Sequence, residues 1–234
     1  MHEHNVMLIT GASRSIGEYL AGYYLDMGYQ VIGCSRQVSA LNHENYRHYI
    51  LDVRDEEKVK QMFMEISKNY GRLSILINNA GMQTINHSLL TDHKTVQDVF
   101  STNMFGAFLF CRESAKLMKK NNYGRIVNMS SIAVPLASVG SSIYSSSKAA
   151  LEQFSRVFAK EVASYGIRVN VLGLSVVHES GMIKNISEGA RKQTLDQTIL
   201  KEPISFKDVS HALDFLIAQQ SNAVTAQALY LGGV

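Results

Sequence analysis

The sequence is short of the features that mark several protein classes. It has two cysteines, Cys34 and Cys111, far apart and outside any C-x-x-C pair. A disulfide framework and a zinc site are therefore not expected, and a reducing, cytoplasmic compartment is the natural expectation. It has no block of like charge. Lys and Arg number 23 against 20 Asp and Glu, for a net charge of +3, so neither a nucleic-acid surface nor an acidic tail is indicated. It has no long apolar run. The longest, Met104 to Cys111, is too short to span a bilayer, so no membrane association is expected. The opening MHEHNVMLITGAS lacks the basic region and apolar core of a signal peptide. His2 and His4 have no third ligand in view, which leaves no metal site. Internal repeats and low-complexity linkers are absent.

What is present fits one domain over residues 1–234. The length allows a sizeable core, and 46% hydrophobic with 18% charged residues is ordinary for a globular chain. The stretch that organises the rest is Ser131 to Lys148, SIAVPLASVGSSIYSSSK. Tyr144 and Lys148 are four residues apart, which places phenol and ammonium on one face of a helix. A tyrosine is a poor acid or base at neutral pH, and an adjacent lysine cation favours its phenolate. Ser131, delivered by the preceding strand, could hold a carbonyl or alcohol oxygen. The three suit proton transfer at an oxygen that gains or loses a hydride. The Y-x-x-x-K spacing alone occurs by chance in many helices, so its context decides.

That context begins at Val6–Thr10, a short apolar run followed by Gly11-Ala12-Ser13-Arg14-Ser15-Ile16-Gly17 and a helical pattern ending near Gly28. Strand, glycine-rich turn and helix in this order form a phosphate-binding context, because the helix start offers free N–H groups and a positive dipole end. A second strand over 30–34 leads to Ser35-Arg36, where a dinucleotide site selects its adenosine ribose. No acid stands there to accept from a 2′-hydroxyl. Arg36 with Arg14 would instead hold a 2′-phosphate, which favours NADP(H) over NAD(H). Two solvated surface arginines are the bland alternative.

Only about ten residues separate Arg36 from the next strand, 47–53, so a short helix or tight loop is expected between them. Asp55 is read as the cap of a helix over 56–69, closed by Gly71. A strand over 74–77 runs into Asn78-Asn79-Ala80-Gly81, where small residues and amides suit close approach to a cofactor, although Asn78 would serve equally as a brace of the central strand. A long helical pattern over 92–121 is expected to break near Ser101, beside Asn103, with Gly106 allowing close approach. A strand over 125–129 precedes Ser130-Ser131. The helix over 144–165 is given the apolar stripe Ala149, Ala150, Phe154, Val157 and Phe158. A strand over 167–172 follows. Residues 175–204 resist assignment. A helix over 205–218, with Leu213, Phe215, Leu216 and Ile217 inward, and a strand over 228–231 close the chain. Alternating strands and helices imply an α/β fold, a Rossmann-type doubly wound parallel β-sheet covered on both faces.

With these motifs in order, the chain resembles the short-chain dehydrogenase/reductase family along essentially its whole length, and within it the 3-oxoacyl reductases through the opening T-G-A-S-R. The glycine motif T-G-x-x-x-G-x-G matches Thr10, Gly11 and Gly17. Asn78 to Gly81 match N-N-A-G, Asp52-Val53 match the D-V after the third strand, and TAQALYLGG is similar to the family's ending. The resemblance implies a catalytic set of Ser131, Tyr144, Lys148 and Asn103. Tyr144 would act as acid in reduction and base in oxidation. Lys148 would lower its pKa and hold the nicotinamide ribose, Ser131 would hold the substrate oxygen, and Asn103 would anchor a water. Cofactor contacts would come from Gly11, Ser13, Arg14, Ser15, Ile16, Gly17, Arg36, Asp52, Val53, Asn79, Ala80 and Gly81, besides Tyr144 and Lys148.

Three positions depart from the family pattern: Ser15 replaces a glycine, Leu174-Ser175 replace Pro-Gly, and Val134-Pro135 follow the serine where a glycine is common. The implied activity is NADPH-dependent reduction of a carbonyl on a small-molecule substrate. The rival reading is a non-catalytic NADP(H)-binding regulator or scaffold subunit. The helices over 101–121 and 144–165 would pair across a two-fold axis in a homodimer or homotetramer. Lys119, Lys120 and Arg125 are candidates for a carrier-protein patch.

Overall fold

The computed structural model describes residues 6–178, Gly181 and 187–234. His2 and His4 lie outside the described residues. Seven strands, β1 (Val6–Thr10), β2 (Gln30–Ser35), β3 (Tyr46–Ile50), β4 (Ile75–Asn78), β5 (Gly124–Ser131), β6 (Ile167–Leu174) and β7 (Ala228–Tyr230), form one sheet. Their order is β3-β2-β1-β4-β5-β6-β7 and every pairing is parallel. The direction of winding reverses between β1 and β4, and the carboxyl ends there open a crevice of the kind in which doubly wound sheets bind ligands.

Central strands are buried on both faces, so β1 and β4 read as continuous apolar runs. Val6 and Leu8 of β1 join one core layer, and Met7 and Ile9 join the other. The first layer packs under α2 (Glu56–Tyr70), α4 (Ala107–Met118) and α6 (Ser142–Val162). The second packs under α1 (Ser15–Asp26) and α8 (Phe206–Ile217). The expected stops hold: Asp55 accepts from the Lys58 amide to cap α2, and Gly71 closes it at φ 68°. Ser205 and Asp208 form a reciprocal capping box on α8.

Of the two forms expected between β2 and β3, a short helix or a tight loop, the structure has the loop, pinned by His48, whose Nε2 lies 2.9 Å from the Gln37 carbonyl and whose Nδ1 lies 2.8 Å from the Tyr46 hydroxyl. A carbonyl can only accept, so Nε2 carries the proton and Nδ1 accepts from Tyr46. β3 stops at Ile50, and Asp52-Val53 lie in the turn beyond it. Phe215 faces outward, 53% exposed. Two members of the stripe expected on α6 do not face inward, while others do: Phe158 is buried and Phe154 packs against the core, but Ala149 and Val157 are exposed, and Ser147, Lys148, Glu152 and Ser155 are buried beside Leu151 and Phe158. The break near Ser101 is a π-helical stretch, Ser101–Gly106, that joins α3 (His93–Phe100) to α4 with right-handed helical backbone at both junctions. Part of 175–204 becomes α7 (Glu188–Asp196), capped by Ser187, and part lies outside the described residues.

Candidate active site

The glycine turn after β1 is built by close approach. Gly11 sits at φ +70°, in the left-handed region, and its amide and that of Ala12 donate to the Cys34 carbonyl at the end of β2. A Cβ on Gly17 would collide with the Gly11 carbonyl, so the first turn of α1 can lie against the loop only as glycine. Arg14 precedes α1 in an extended conformation and its side chain makes no capping bond, which leaves the helix start open to an anion. These features fit a dinucleotide pyrophosphate.

The end of β4 braces this turn. Asn79 Nδ2 donates to the Thr10 carbonyl at 2.9 Å, and Thr10 Oγ1 accepts from the Ala80 amide at 2.9 Å. Asn78 is a brace of the sheet, donating to Asn128 Oδ1 at 2.8 Å, and Asn128 in turn donates to Ser155. Gly81 is flanked by the ends of Asn103 and Lys148, since a Cβ there would sit 3.5 Å from Asn103 Oδ1 and from Lys148 Nζ. Asn103, 1% exposed, accepts from the Met82 amide at 2.7 Å and donates to the Met82 carbonyl at 2.8 Å and to Ser147 Oγ at 2.9 Å. Its side chain therefore clamps the loop after β4 to α6. The π turn gives it the angle to do so.

Ser131 ends β5, and its Oγ accepts from the Ala133 amide. Tyr144 and Lys148 rise from one face of α6, both buried, with Lys148 4% exposed. Burial pushes the Tyr144 phenol above its ordinary value, and its hydrogen bond with the Ser131 hydroxyl pulls the other way. Burial brings the Lys148 ammonium down to about 8, and the negative charge of Glu152 works against that drop. Lys148 Nζ donates to the Met129 carbonyl at 2.8 Å and lies 6.0 Å from the centre of the Tyr144 ring. In this arrangement the Ser131 hydroxyl favours the phenolate directly, and the Lys148 ammonium lies one turn along the same helix face.

The crevice thus collects Ser131, Tyr144, Lys148, Asn103, Gly81 and the glycine turn. Val53 packs against Gly106, where a Cβ would crowd it. Asp52 is held below the usual carboxylate range chiefly by its hydrogen bonds from Arg54, and Arg36 adds its charge. Arg14 and Arg36 are exposed at the mouth. Ser15 stands at φ 56° and its Oγ accepts from the Gly181 amide at 2.9 Å, tying the cofactor turn to the segment after β6. Val134-Pro135 form a single helical turn, α5 (Ala133–Leu136), which ends at Ala137 in a left-handed conformation. Next to it a hollow of about 350 Å³ is lined by His87, Ser88 and Ala137 to Ser142, with Ser145; Tyr144 is not among its walls.

The basic patch does not form. Arg125 is 1% exposed, stacked on Tyr123 and bonded to the Gly124 carbonyl, and Lys119 lies over the Tyr165 ring. All three sit at the amino end of β5, a strand's length from Ser131. Sequence reading missed His48, which anchors the loop bearing Arg36, and Ser147 and Glu152. The last two were legible in principle as polar residues at helical spacing from Tyr144 and Lys148. Among the described residues no group of three or more His, Cys, Asp or Glu could hold a metal, and no helix is long and apolar enough to cross a membrane.

A parallel doubly wound sheet with a glycine turn after β1 and a Ser–Tyr–Lys group at the carboxyl ends of β5 and α6's first turns defines a nucleotide-dependent oxidoreductase domain. The chain belongs to the short chain dehydrogenase family, whose pattern matches residues 5–191. It is 34% identical to a 3-oxoacyl-[acyl-carrier-protein] reductase of Bos taurus, over 97% of this chain and 96% of that one. Among solved structures it is similar to ElxO with NADP bound, at 28% identity and a TM-score of 0.89, covering 97% of each chain. A short chain dehydrogenase of Leptospira borgpetersenii with bound NAD+ shares the fold, at a TM-score of 0.89 and 24% identity, with 98% of this chain and 92% of that one covered.

Proposed function

We propose that this protein is an NADP(H)-dependent reductase of carbonyl groups, reversible to alcohol oxidation. The observation that carries the reading is the meeting of Ser131, Tyr144 and Lys148 in the crevice beside the glycine turn. The cofactor, when bound, supplies or accepts the hydride. The chain supplies position and proton. Ser131 Oγ donates to the substrate oxygen and orients it. In reduction Tyr144 gives its hydroxyl proton to that oxygen as hydride reaches the carbon, and the resulting phenolate is countered by the Lys148 ammonium. In oxidation the proton returns to Tyr144. Asn103 keeps the loop bearing Gly81 and Met82 against α6, so that Lys148 and Tyr144 share a fixed wall.

Arg14 and Arg36 support NADP(H) over NAD(H), because two guanidiniums suit a 2′-phosphate and no acid follows β2. The likeness to the Bos taurus protein makes 3-oxoacyl thioesters the first substrates to try. Phe105, Phe108 and Val157 form an exposed apolar face on the π stretch, α4 and α6, which supports a homodimer or homotetramer; a monomer in sedimentation velocity would remove that part. Free, buried Cys34 and Cys111 suit a reducing cytoplasm.

The test is NADPH consumption with 3-oxoacyl thioesters, ketones and quinones. Tyr144→Phe is expected to lose about 100-fold or more in kcat while still binding NADPH by fluorescence titration. Full turnover in the variant would sink the role given to the phenol. The strained Ser15 favours the rival, a non-catalytic NADP(H)-binding subunit; binding without turnover on any substrate would establish it.

A further inference from the structure

Glu152 lies on α6 one turn beyond Lys148 and is 3% exposed. A carboxylate at that depth needs donors. It has two hydroxyls: Ser130 Oγ donates to Oε1 at 2.5 Å and Tyr230 Oη donates to Oε2 at 2.7 Å. Arg156, one turn further along, brings a guanidinium nitrogen to 4.0 Å from Oε2. The two hydroxyls belong to one row across the sheet. Ser130 of β5 pairs with Gly173 of β6, and Gly173 pairs with Tyr230 of β7. A Cβ on Gly173 would run into the Tyr230 ring. Glycine there lets the ring lie across β6 and carry its hydroxyl to α6. The residue before Ser130 is Met129, whose carbonyl takes Lys148 Nζ. Two successive residues of β5 therefore fasten two successive turns of α6, one at the ammonium and one at the carboxylate.

We propose that Glu152 is a positioning residue for the Tyr144–Lys148 pair: locked between Ser130 and Tyr230, it supplies the fixed negative charge against which the buried Lys148 ammonium is held. This rests on the reductase reading of the same site. Tyr144, Lys148 and Glu152 then form a ladder on one helix face, phenol, cation and anion at intervals of four residues. A buried ammonium tends to shed its proton, and a neutral amine gives a phenolate no support. The elements packed against the ladder bring few other ionisable groups among the described residues. β5 faces it with Ser130 and Ser131, the π stretch with Asn103, the end of β4 with Gly81, and β7 with Tyr230. Arg156 is the charge nearest Glu152, on α6 itself, and the charged Lys94 and Asp98 of α3, which also packs on α6, pair with each other. Burial, reinforced by Glu152, pushes the Tyr230 phenol well up, so it stays a donor throughout the working range.

The first readout needs no substrate. Lys148 Nζ is titrated by NMR in 15N-lysine-labelled whole protein, with Lys148→Met providing the assignment. A midpoint near 8 is expected in the unmodified protein. In Glu152→Gln, which keeps the shape and removes the charge, it should fall by about one unit, which cuts the charged fraction at pH 7.5 about threefold. Tyr230→Phe keeps the charge but frees one carboxylate oxygen, and should move the midpoint the same way by less. An unmoved midpoint in Glu152→Gln overturns the proposal. Should that variant not fold, Glu152→Asp withdraws the charge by one methylene and carries the same test with a smaller fall. The second readout is the pH profile of alcohol oxidation. Its acidic limb, set by the Tyr144 phenolate, should move to higher pH in Glu152→Gln; a packing role would lower the rate at every pH and leave the limb in place. No turnover in the unmodified protein defeats the reductase reading, and the lysine midpoint then decides the role of Glu152 by itself.

Discussion

Lys148 is a destabilising residue in the fold that contains it, and the size of the effect follows from its titration. Its folded value is about 8 against an ordinary 10.5. The sign is that of a depressed cation: the unfolded chain binds the proton more tightly than the folded one between these values, so folding gains stability as pH rises through that window. At about 1.4 kcal/mol per pH unit, the gap makes the protein about 3 kcal/mol weaker below pH 8 than above pH 10.5 on account of this residue. Lys148→Met keeps the unbranched stem and removes the charge. It also removes the bond from Nζ to the Met129 carbonyl, worth about 1 kcal/mol net. The expected balance at pH 7 is a gain of about 2 kcal/mol, or a Tm about 4–8 °C higher for a chain of this size. The measurement is thermal or urea unfolding of both proteins from pH 6.5 to 10.5. The difference between them is the useful quantity, because the titrations of Cys34, Cys111 and Tyr24 are common to both and cancel. The gain should be full below pH 8, shrink across the window, and end slightly negative. A difference that is flat with pH, or a variant less stable at pH 7, would refute this account of the lysine.

Three further outcomes are expected. Asn103→Ala loses three hydrogen bonds of 2.7–2.9 Å, so it should cost about 2–3 kcal/mol and speed hydrogen exchange at the Met82 amide; an unchanged Met82 rate would contradict the clamp. Burial raises Cys34 and Cys111 from 9.0 to about 12, so both thiols should ignore Ellman's reagent at pH 8 and titrate as two on unfolding. Their raised values mean that they add stability below pH 9 which is lost as pH climbs toward 12, a trend that alkaline unfolding curves can follow. Arg36→Asp should weaken NADPH about tenfold or more and favour NADH in fluorescence titrations, and an unaltered ratio would remove Arg36 from the cofactor site.

The order of strands and the crevice were legible because they depend on periodicity and on turn residues that act locally. Val6–Thr10 with Gly11 and Gly17 could hardly be anything else, and Asp55 with Gly71 bounded α2 by chemistry confined to a few residues. The errors have a common cause. Phe215, Val157 and Ala149 follow hydrophobicity alone, whereas the inward face of α6 shares its apolar residues Leu151 and Phe158 with hydroxyls, an ammonium and a carboxylate that are satisfied from other elements. Their partners, Ser130, Asn128, Asn103 and Tyr230, arrive from segments distant in sequence. Arg125 misled in the opposite way, since its burial depends on Tyr123 and on the Ala218 carbonyl 93 residues away.

The π turn at Ser101–Gly106 has a consequence for how this helix can change. It works as a phase shifter. Upstream of it Val99 faces the core; downstream the core face is Phe110 and Cys111, and between them Asn103 points in while Phe105 points out. Each residue of an α-helix advances the face by about 100°, so one surplus residue resets the register of everything after it. Point substitution cannot undo such an offset. A deletion within 101–106 can, and it would swing Asn103 off Met82 and turn the apolar face of Phe105 and Phe108 in a single event. Drift by substitution along the helix leaves the clamp and the outer face in step, whereas a change in its length by one residue uncouples both together.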